Sequence, residues 1–208
     1  KRRLLGPLAA GELRGAFSTT EPQSGSDVAG IRTRARRCDG GYRISGSKIW
    51  CTNSQIADFV LVAAKTGDDE GARAINLFIV ERGSQGFTVG RHEDKMGARG
   101  VPSCPLFLDE VFVPEANRIG EDGRGFKDVM EAFNKSRPLI GARGVGLAQG
   151  AIDHSIEFVK NRVTWGRKVS ENQGIRWMLA DMAVQTEAAR QLVYRAAAVV
   201  DSGVSGIE

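Results

Sequence analysis

The chain has 208 residues, 41% of them hydrophobic and 26% charged, with a formal net charge of +4. That balance is ordinary for a globular protein, and the length is enough to bury a core without disulfides or metals. No apolar run approaches the ~18 residues that a membrane-spanning helix needs, and nothing at the start reads as a signal peptide.

Cys38, Cys51 and Cys104 are odd in number and form no C-x-x-C pair for zinc or redox work. They suit free thiols in a reducing compartment such as the cytoplasm. His92 and His154 stand alone, and no metal site is expected. The basic residues are mostly arginine, 21 against eight lysines. Arg32, Arg34, Arg36 and Arg37 could suggest a nucleic-acid stripe, but they alternate with Ile31, Thr33 and Ala35, as on a strand with one solvent face. No aromatic residue interleaves with them, which argues against nucleic acid.

The first hundred or so residues read as strands. Gly15 to Thr20 is a short run around Phe17, and Ile31 to Arg37 alternates. Asp39-Gly40 is a tight-turn signal leading into Tyr42 to Ser45, which predicts a hairpin. Lys48 to Thr52, Phe59 to Ala64, Ile75 to Val80, Phe87 to Arg91 and Leu106 to Val113 follow, with polar breaks between them. Many short strands predict an antiparallel barrel or sandwich.

The period changes near Gly125. Val129, Met130 and Phe133 recur at helical spacing, and Ile140, Leu147, Ile152, Ile156 and Val159 extend the pattern. Pro138 should kink this helix or mark a seam, and Gly166 ends the pattern. A second helix starts near Gln173, with a stripe of Ile175, Leu179, Met182, Thr186, Ala189, Val193, Ala196 and Val200 for packing in a bundle. The expected class is therefore α+β: a β domain over 1–120, then two long helices of an incomplete up-down helical bundle over 121–208.

Two segments can carry chemistry. Phe17-Ser18-Thr19-Thr20-Glu21-Pro22-Gln23-Ser24-Gly25-Ser26-Asp27 is a strand leaving into a loop of small residues, whose hydroxyls and backbone N–H groups suit phosphate or a polar ring edge. Lys48-Ile49-Trp50-Cys51-Thr52-Asn53 places Trp50 and Thr52 on one strand face by period two, a stacking ring beside a donating hydroxyl. Either alone also reads as an ordinary turn or an ordinary strand with a buried tryptophan.

Together they resemble the acyl-CoA dehydrogenase family. The strings run in family order along nearly the whole chain: T-E-P-Q-S-G-S-D from Thr20, W-C-T-N from Trp50, Lys95-Met96-Gly97 with Arg99, Val111 to Pro114, Gly120 to Gly123 through Phe126, Arg137-Pro138 with Gly144 to Gln149, Arg162 to Gly166, and Glu171 to Gln173. The resemblance implies a β domain that holds FAD between two helical domains, with the leading one absent and only two helices of the trailing one present.

By position, the resemblance places Phe17, Thr19 and Thr20 along the isoalloxazine and its pyrimidine edge. Gly25 and Ser26 fall near the pyrophosphate and the coenzyme A arm, and Trp50 and Cys51 in the covering strand. The Thr52 hydroxyl falls toward flavin N5. Arg162, Thr164, Asn172 and Gln173 match residues that hold FAD partly across a subunit interface, which implies a homo-oligomer, a dimer of dimers. Ser26 and Thr66 match positions that meet the coenzyme A of the substrate. Asn134 and Arg137 match a substrate-contacting D-x-x-R, with asparagine in place of the aspartate.

The implied reaction is α,β-dehydrogenation of an acyl-CoA thioester, with a glutamate removing the α-proton and electron-transfer flavoprotein as acceptor. No catalytic residue is expected in this chain, because the family's base falls downstream of Glu208. Some branches, such as isovaleryl and long-chain dehydrogenases, carry it at the position of Ser136. The alternatives are a flavin monooxygenase or oxidase on the same fold, and a non-catalytic flavin-binding subunit or fragment of a heteromeric assembly.

Overall fold

The computed structural model describes residues 2–67 and 71–203. It divides into two compact units, Lys1–Val129 and Met130–Glu208.

The first unit opens with a helix that the sequence reading did not anticipate, α1 (Arg2–Ala9). Its Arg3 bonds Glu81 at 2.5 Å and Asn117 at 2.8 Å. The strands are β1 (Gly15–Ser18), β2 (Arg34–Cys38), β3 (Gly41–Thr52), β4 (Phe59–Thr66), β5 (Ile75–Glu81), β6 (Phe87–Val89), β7 (Ser103–Pro114) and β8 (Arg118–Ile119). They form one sheet in the order β6-β7-β3-β2-β4-β5-β8, with β1 added on β4.

Two features correct the expectation of an antiparallel barrel. The sheet is not closed, since its order ends on the short strands β6 and β8, which do not pair with each other. Nor is it purely antiparallel, because β1 and β2 both run parallel to β4. They share the register of β4, with β1 opposite residues 59–62 and β2 opposite 65–66. The chain between them must leave the sheet and return, and that excursion is the Thr19 to Thr33 loop.

Alternation builds the core. Val60, Val62 and Ala64 of β4, Phe78 and Val80 of β5, and Tyr42 and Ile44 of β3 are buried together. Tyr42 meets Phe78 edge-on at 4.9 Å. From β7 this core takes Leu106 and Leu108, then Val111 and Val113. The phase slips because β7 carries an extra residue where its pairing with β3 shifts between Ile44 and Gly46. Gly46 has φ +152°, and a Cβ there would lie 2.8 Å from Thr33 Cα. The sequence reading took Gly46-Ser47 as a break between two strands. The structure uses the glycine to let Thr33 approach, and the strand continues.

The arginine stripe is held locally. Arg36 pairs with Glu110 at 2.6 Å and Arg37 with Glu115 at 3.4 Å. The guanidinium of Arg37 also lies 5.7 Å from the Tyr42 ring centre. Ile31 to Thr33, expected in the strand, lie outside β2, because the N–H groups of Arg32 and Thr33 bond the Glu21 carboxylate instead.

The second unit holds most of α2 (Gly125–Asn161), a small hairpin of β9 (Val163–Thr164) and β10 (Arg167–Lys168), and α3 (Gln173–Asp201). The helix α2 runs unbroken through Pro138. The hairpin turns on Trp165 and Gly166, both with positive φ, as a two-residue turn of this twist requires. The helices run antiparallel, with Arg190 bonding Gln149 at 2.7 Å, and a Cβ on Gly141 would lie 2.8 Å from Val193.

The stripe on α3 lies mostly as the spacing predicts, with Thr186 buried and Ala189 alone exposed. Within this unit the buried residues of α2 are Pro138, Val145, Ile152 and Val159, each seven residues from the next. Ile140 and Leu147, which the pattern had included, are 63% and 74% exposed. They lie about 200° around the helix from the Val145 row. Each helix is thus apolar on more than one face, as suits helices in the interior of a larger bundle.

Candidate functional site

In the first unit the site is assembled where β1 ends beside the second half of β3. Three successive ties hold them together. The Cys51 thiol donates to Phe17 O at 3.6 Å, the Lys48 ammonium to Thr19 O at 3.1 Å, and Ile49 N–H to Thr20 O at 2.9 Å. They align Phe17, Thr19 and Thr20 along the strand that carries Trp50 and Thr52.

That strand is not regular. Between Lys48 and Cys51 the pairing with β7 shifts, so β3 carries one residue too many. The extra residue is accommodated by Trp50 at φ +57°, a conformation that costs a bulky side chain roughly 1–3 kcal/mol. The bulge resets the alternation. Lys48 and Cys51 are both buried, while Trp50 is 54% exposed and Thr52 is exposed with it. The sequence reading expected Trp50 and Thr52 to share a face. It did not see the bulge, because neither Ile49 nor Trp50 announces one.

Beside this wall, Phe17 is 36% exposed, Thr20 is half-buried, and the Thr19 side chain is buried. Gly25 and Ser26 stand exposed at the far end of the loop, and a Cβ on Gly25 would meet nothing within 4 Å. The Cys51 side chain belongs to the core, and burial pushes its thiol pKa up. A ligand on this surface would meet Cys51 only through its backbone.

Sequence reasoning assigned no role to the two charged residues at the centre. Lys48 is fully buried, and Glu21 is 3% exposed. Their ammonium and carboxylate meet at 2.8 Å. Glu21 also accepts from Thr33 N–H at 3.0 Å, the Thr33 hydroxyl at 2.6 Å, Arg32 N–H at 2.6 Å and the Gln23 amide at 2.6 Å. Burial alone would push the Glu21 carboxyl up, but the Lys48 charge and these donors outweigh it and lower its pKa to about 2. Burial pushes the Lys48 ammonium pKa down, against the opposing pull of Glu21. Both residues lay inside quoted strings, and a charged residue two places before a strand tryptophan was the available signal.

The turn after Thr52 is fixed by Arg82, whose guanidinium donates to the carbonyls of Ala57 at 2.6 Å, Ser54 at 2.7 Å and Gln55 at 2.7 Å. Arg82→Ala should cost about 2 kcal/mol, the scale for hydrogen bonds from a charged group. A lower urea midpoint at unchanged slope would register it.

Thr66 lies at the end of β4. Its hydroxyl accepts from the Asn76 amide at 2.8 Å, and the same amide nitrogen bonds Asp122 at 2.8 Å. The Asn76 carbonyl oxygen accepts from Gly123 N–H at 3.0 Å. Buried Asn76 therefore ties Thr66 to the Gly120 to Gly123 turn ahead of α2, a second hub that sequence reasoning missed.

In the second unit, Arg162, Thr164, Asn172 and Gln173 gather at the connection between α2 and α3. Thr164 pairs with Arg167 in the hairpin, Arg162 is exposed, Asn172 donates from its amide to Val169 O at 3.1 Å, and Gln173 begins α3. Asn134 and Arg137 lie one turn apart on α2, with the arginine donating to the asparagine carbonyl oxygen. Among the described residues no group of three or more metal-ligating side chains comes together, and no helix is long and apolar enough to cross a membrane.

The acyl-CoA dehydrogenase middle-domain profile matches residues 16–111, and the C-terminal-domain profile matches residues 123–206. The chain belongs to the acyl-CoA dehydrogenase family. An acyl-CoA dehydrogenase of Bacillus subtilis is 43% identical over 99% of this chain and 54% of its own length. The structure of butyryl-CoA dehydrogenase from Megasphaera elsdenii superposes with a TM-score of 0.93 at 40% identity, over 97% of this chain and 53% of that one. An FAD complex of PigA superposes with a TM-score of 0.93 at 30% identity, over 98% of this chain and 53% of that one. This acyl-CoA dehydrogenase-family chain thus spans about half the length of the relatives it matches.

Proposed function

We propose that the complete protein oxidises an acyl-CoA thioester to its α,β-enoyl-CoA with FAD as cofactor, and that this chain supplies most of the flavin site. The observation that carries the reading is the exposed Trp50–Thr52 bulge beside the Thr19 to Ser26 loop, in a chain of this family. The residues fit the cofactor. Phe17 and Trp50 offer flat apolar surface, Thr52 a hydroxyl, and Gly25 and Ser26 an open backbone. The chemistry that FAD supplies when bound is acceptance of a hydride.

The protein's share is binding and orientation. Trp50 and Phe17 cover the ring, Thr52 donates to its reacting edge, and Gly25 and Ser26 take the phosphates. Arg162, Thr164, Asn172 and Gln173 contribute from the α2–α3 connection, where an arginine brings paired donors to a diphosphate. Thr66, Ser26, Asn134 and Arg137 are assigned to the substrate. The exposed apolar faces of α2 and α3 suit burial in an oligomer, and electron-transfer flavoprotein is the assigned acceptor.

The α-proton requires a carboxylate within hydrogen-bond reach. At Ser136 the hydroxyl is spent on Phe133 O at 3.0 Å and supplies no base, so the glutamate is assigned to a position outside these residues. Anaerobic bleaching of the flavin band by a panel of acyl-CoAs tests the reading. The complete, FAD-loaded protein should bleach with at least one of them, and failure to take up FAD at all would end the proposal. With the assigned glutamate removed, Ser136→Glu should restore part of the bleaching, by placing a carboxylate where related branches carry theirs.

A further inference from the structure

We propose that the buried Lys48–Glu21 pair is the positioning device that sets the cofactor loop, Thr19 to Ser26, against the cofactor wall, Trp50 to Thr52. The inference rests on the FAD reading above and adds to it the residues that make the two surfaces one site.

The geometry is specific. Lys48 lies two residues before the bulged Trp50 on β3, and its side chain is fully buried. One ammonium reaches both the carbonyl of Thr19, where the loop leaves β1, and Glu21 Oε1. Glu21 in turn gathers the other end of the loop. Its Oε1 takes the Thr33 N–H and hydroxyl, and its Oε2 takes Arg32 N–H and the Gln23 amide. Its own backbone closes a turn with Ser24 through Glu21 N–H to Ser24 O at 2.9 Å and Ser24 N–H to Glu21 O at 3.1 Å.

The departure of the loop is therefore fastened to the Lys48 ammonium, and its first turn and its return into β2 to the Glu21 carboxylate. That carboxylate is fastened to the strand that presents Trp50 and Thr52. Gly25 and Ser26, at the open end of the same turn, stand exposed, and a Cβ on Gly25 would meet nothing within 4 Å. A pair used only for stability has no need to bridge these two segments, and a buried ion pair is a weak stabiliser compared with apolar residues of the same size.

Three variants of the complete protein test this: Lys48→Met, Glu21→Gln, and the two together. For each, the apoprotein melting temperature is measured alongside the FAD dissociation constant, from quenching of flavin fluorescence, and the visible spectrum of the bound flavin. Each single variant leaves one buried polar partner uncompensated and should melt lower. The double variant removes both charges and should recover part of the melting temperature, since the glutamine NH2 still leaves loop donors without an acceptor. Its FAD affinity should stay about tenfold to a hundredfold weaker than wild type, with a shifted flavin band, because the loop is no longer registered on the wall.

A double variant that binds FAD with wild-type affinity and spectrum would show the pair to be structural only, and would overturn the proposal. Should the single variants fail to fold, the double variant alone decides. Wild-type protein that binds no FAD defeats the cofactor reading itself, an outcome visible before any variant is made.

Discussion

Thr52→Val should slow flavin reduction in the complete protein by up to ~100-fold, the scale for removing one donor aimed at a reacting atom. The argument runs from the bulge outward. Cys51 is fixed in the core opposite Cys104, and the shift of register after Lys48 turns Trp50 out at φ +57°. Thr52 follows on the exposed side, paired in the ladder with Ser103. Valine has nearly the same shape and keeps the β-branched preference for a strand, so the loss is confined to the hydroxyl. Because Thr52 is exposed, removing its hydroxyl leaves no buried donor unpaired, and the melting temperature of the apoprotein should hold. Rapid-mixing reduction by acyl-CoA and the visible spectrum together make the check. An unchanged rate with an unchanged spectrum would remove Thr52 from the reacting edge.

The elements that were legible in the sequence were those whose side chains follow a single period. β4 and β5 read directly, because each is a short run of mostly apolar residues between polar breaks. The stripe on α3 read directly at helical spacing. The places that resisted were those where a tertiary contact overrides the local pattern. Gly46 looks like a chain break, yet its purpose is the close approach of Thr33. Arg32 and Thr33 look like strand, but their N–H groups are claimed by Glu21. On α2 the apolar residues lie on more than one face, so spacing alone could not say whether the Val145 row or the Ile140–Leu147 row would be buried.

The candidate site divides the same way. Phe17, Thr20, Trp50 and Thr52 are singled out by residue strings whose order along the chain matters more than any one of them. Lys48 and Glu21 lay in the same strings, but their burial depends on the β1–β3 seam, a pairing of segments about 30 residues apart in sequence. A lysine within a strand ordinarily reads as solvent-facing. Only the fold shows that this one points into the loop it holds.

Acid should weaken the apoprotein through Glu21 over a defined window. Its carboxyl titrates near 4.5 when free and at about 2 in the fold, so the folded state holds the proton less tightly than the unfolded one. A depressed carboxylate contributes stability that is fully present above pH 4.5 and is lost as pH falls toward 2. At 1.36 kcal/mol per unit the contribution is about 3 kcal/mol. The Lys48 ammonium, whose pKa burial lowers against the pull of Glu21, is the counter-charge that holds the carboxylate ionised. Once Glu21 is neutral, however, the ammonium remains buried with only the Thr19 carbonyl, which is why the fold resists the proton. Glu81, lowered mainly by its hydrogen bond to Arg3, shifts in the same direction, so wild type alone cannot isolate the effect. The comparison is with the double variant Lys48→Met, Glu21→Gln, which keeps Glu81 and lacks the pair. Urea midpoints of the two apoproteins between pH 7 and pH 3 should diverge, with wild type falling faster below pH 4.5. Parallel curves would mean that Glu21 titrates as a free carboxylate, and that the buried pair does not hold the loop in solution.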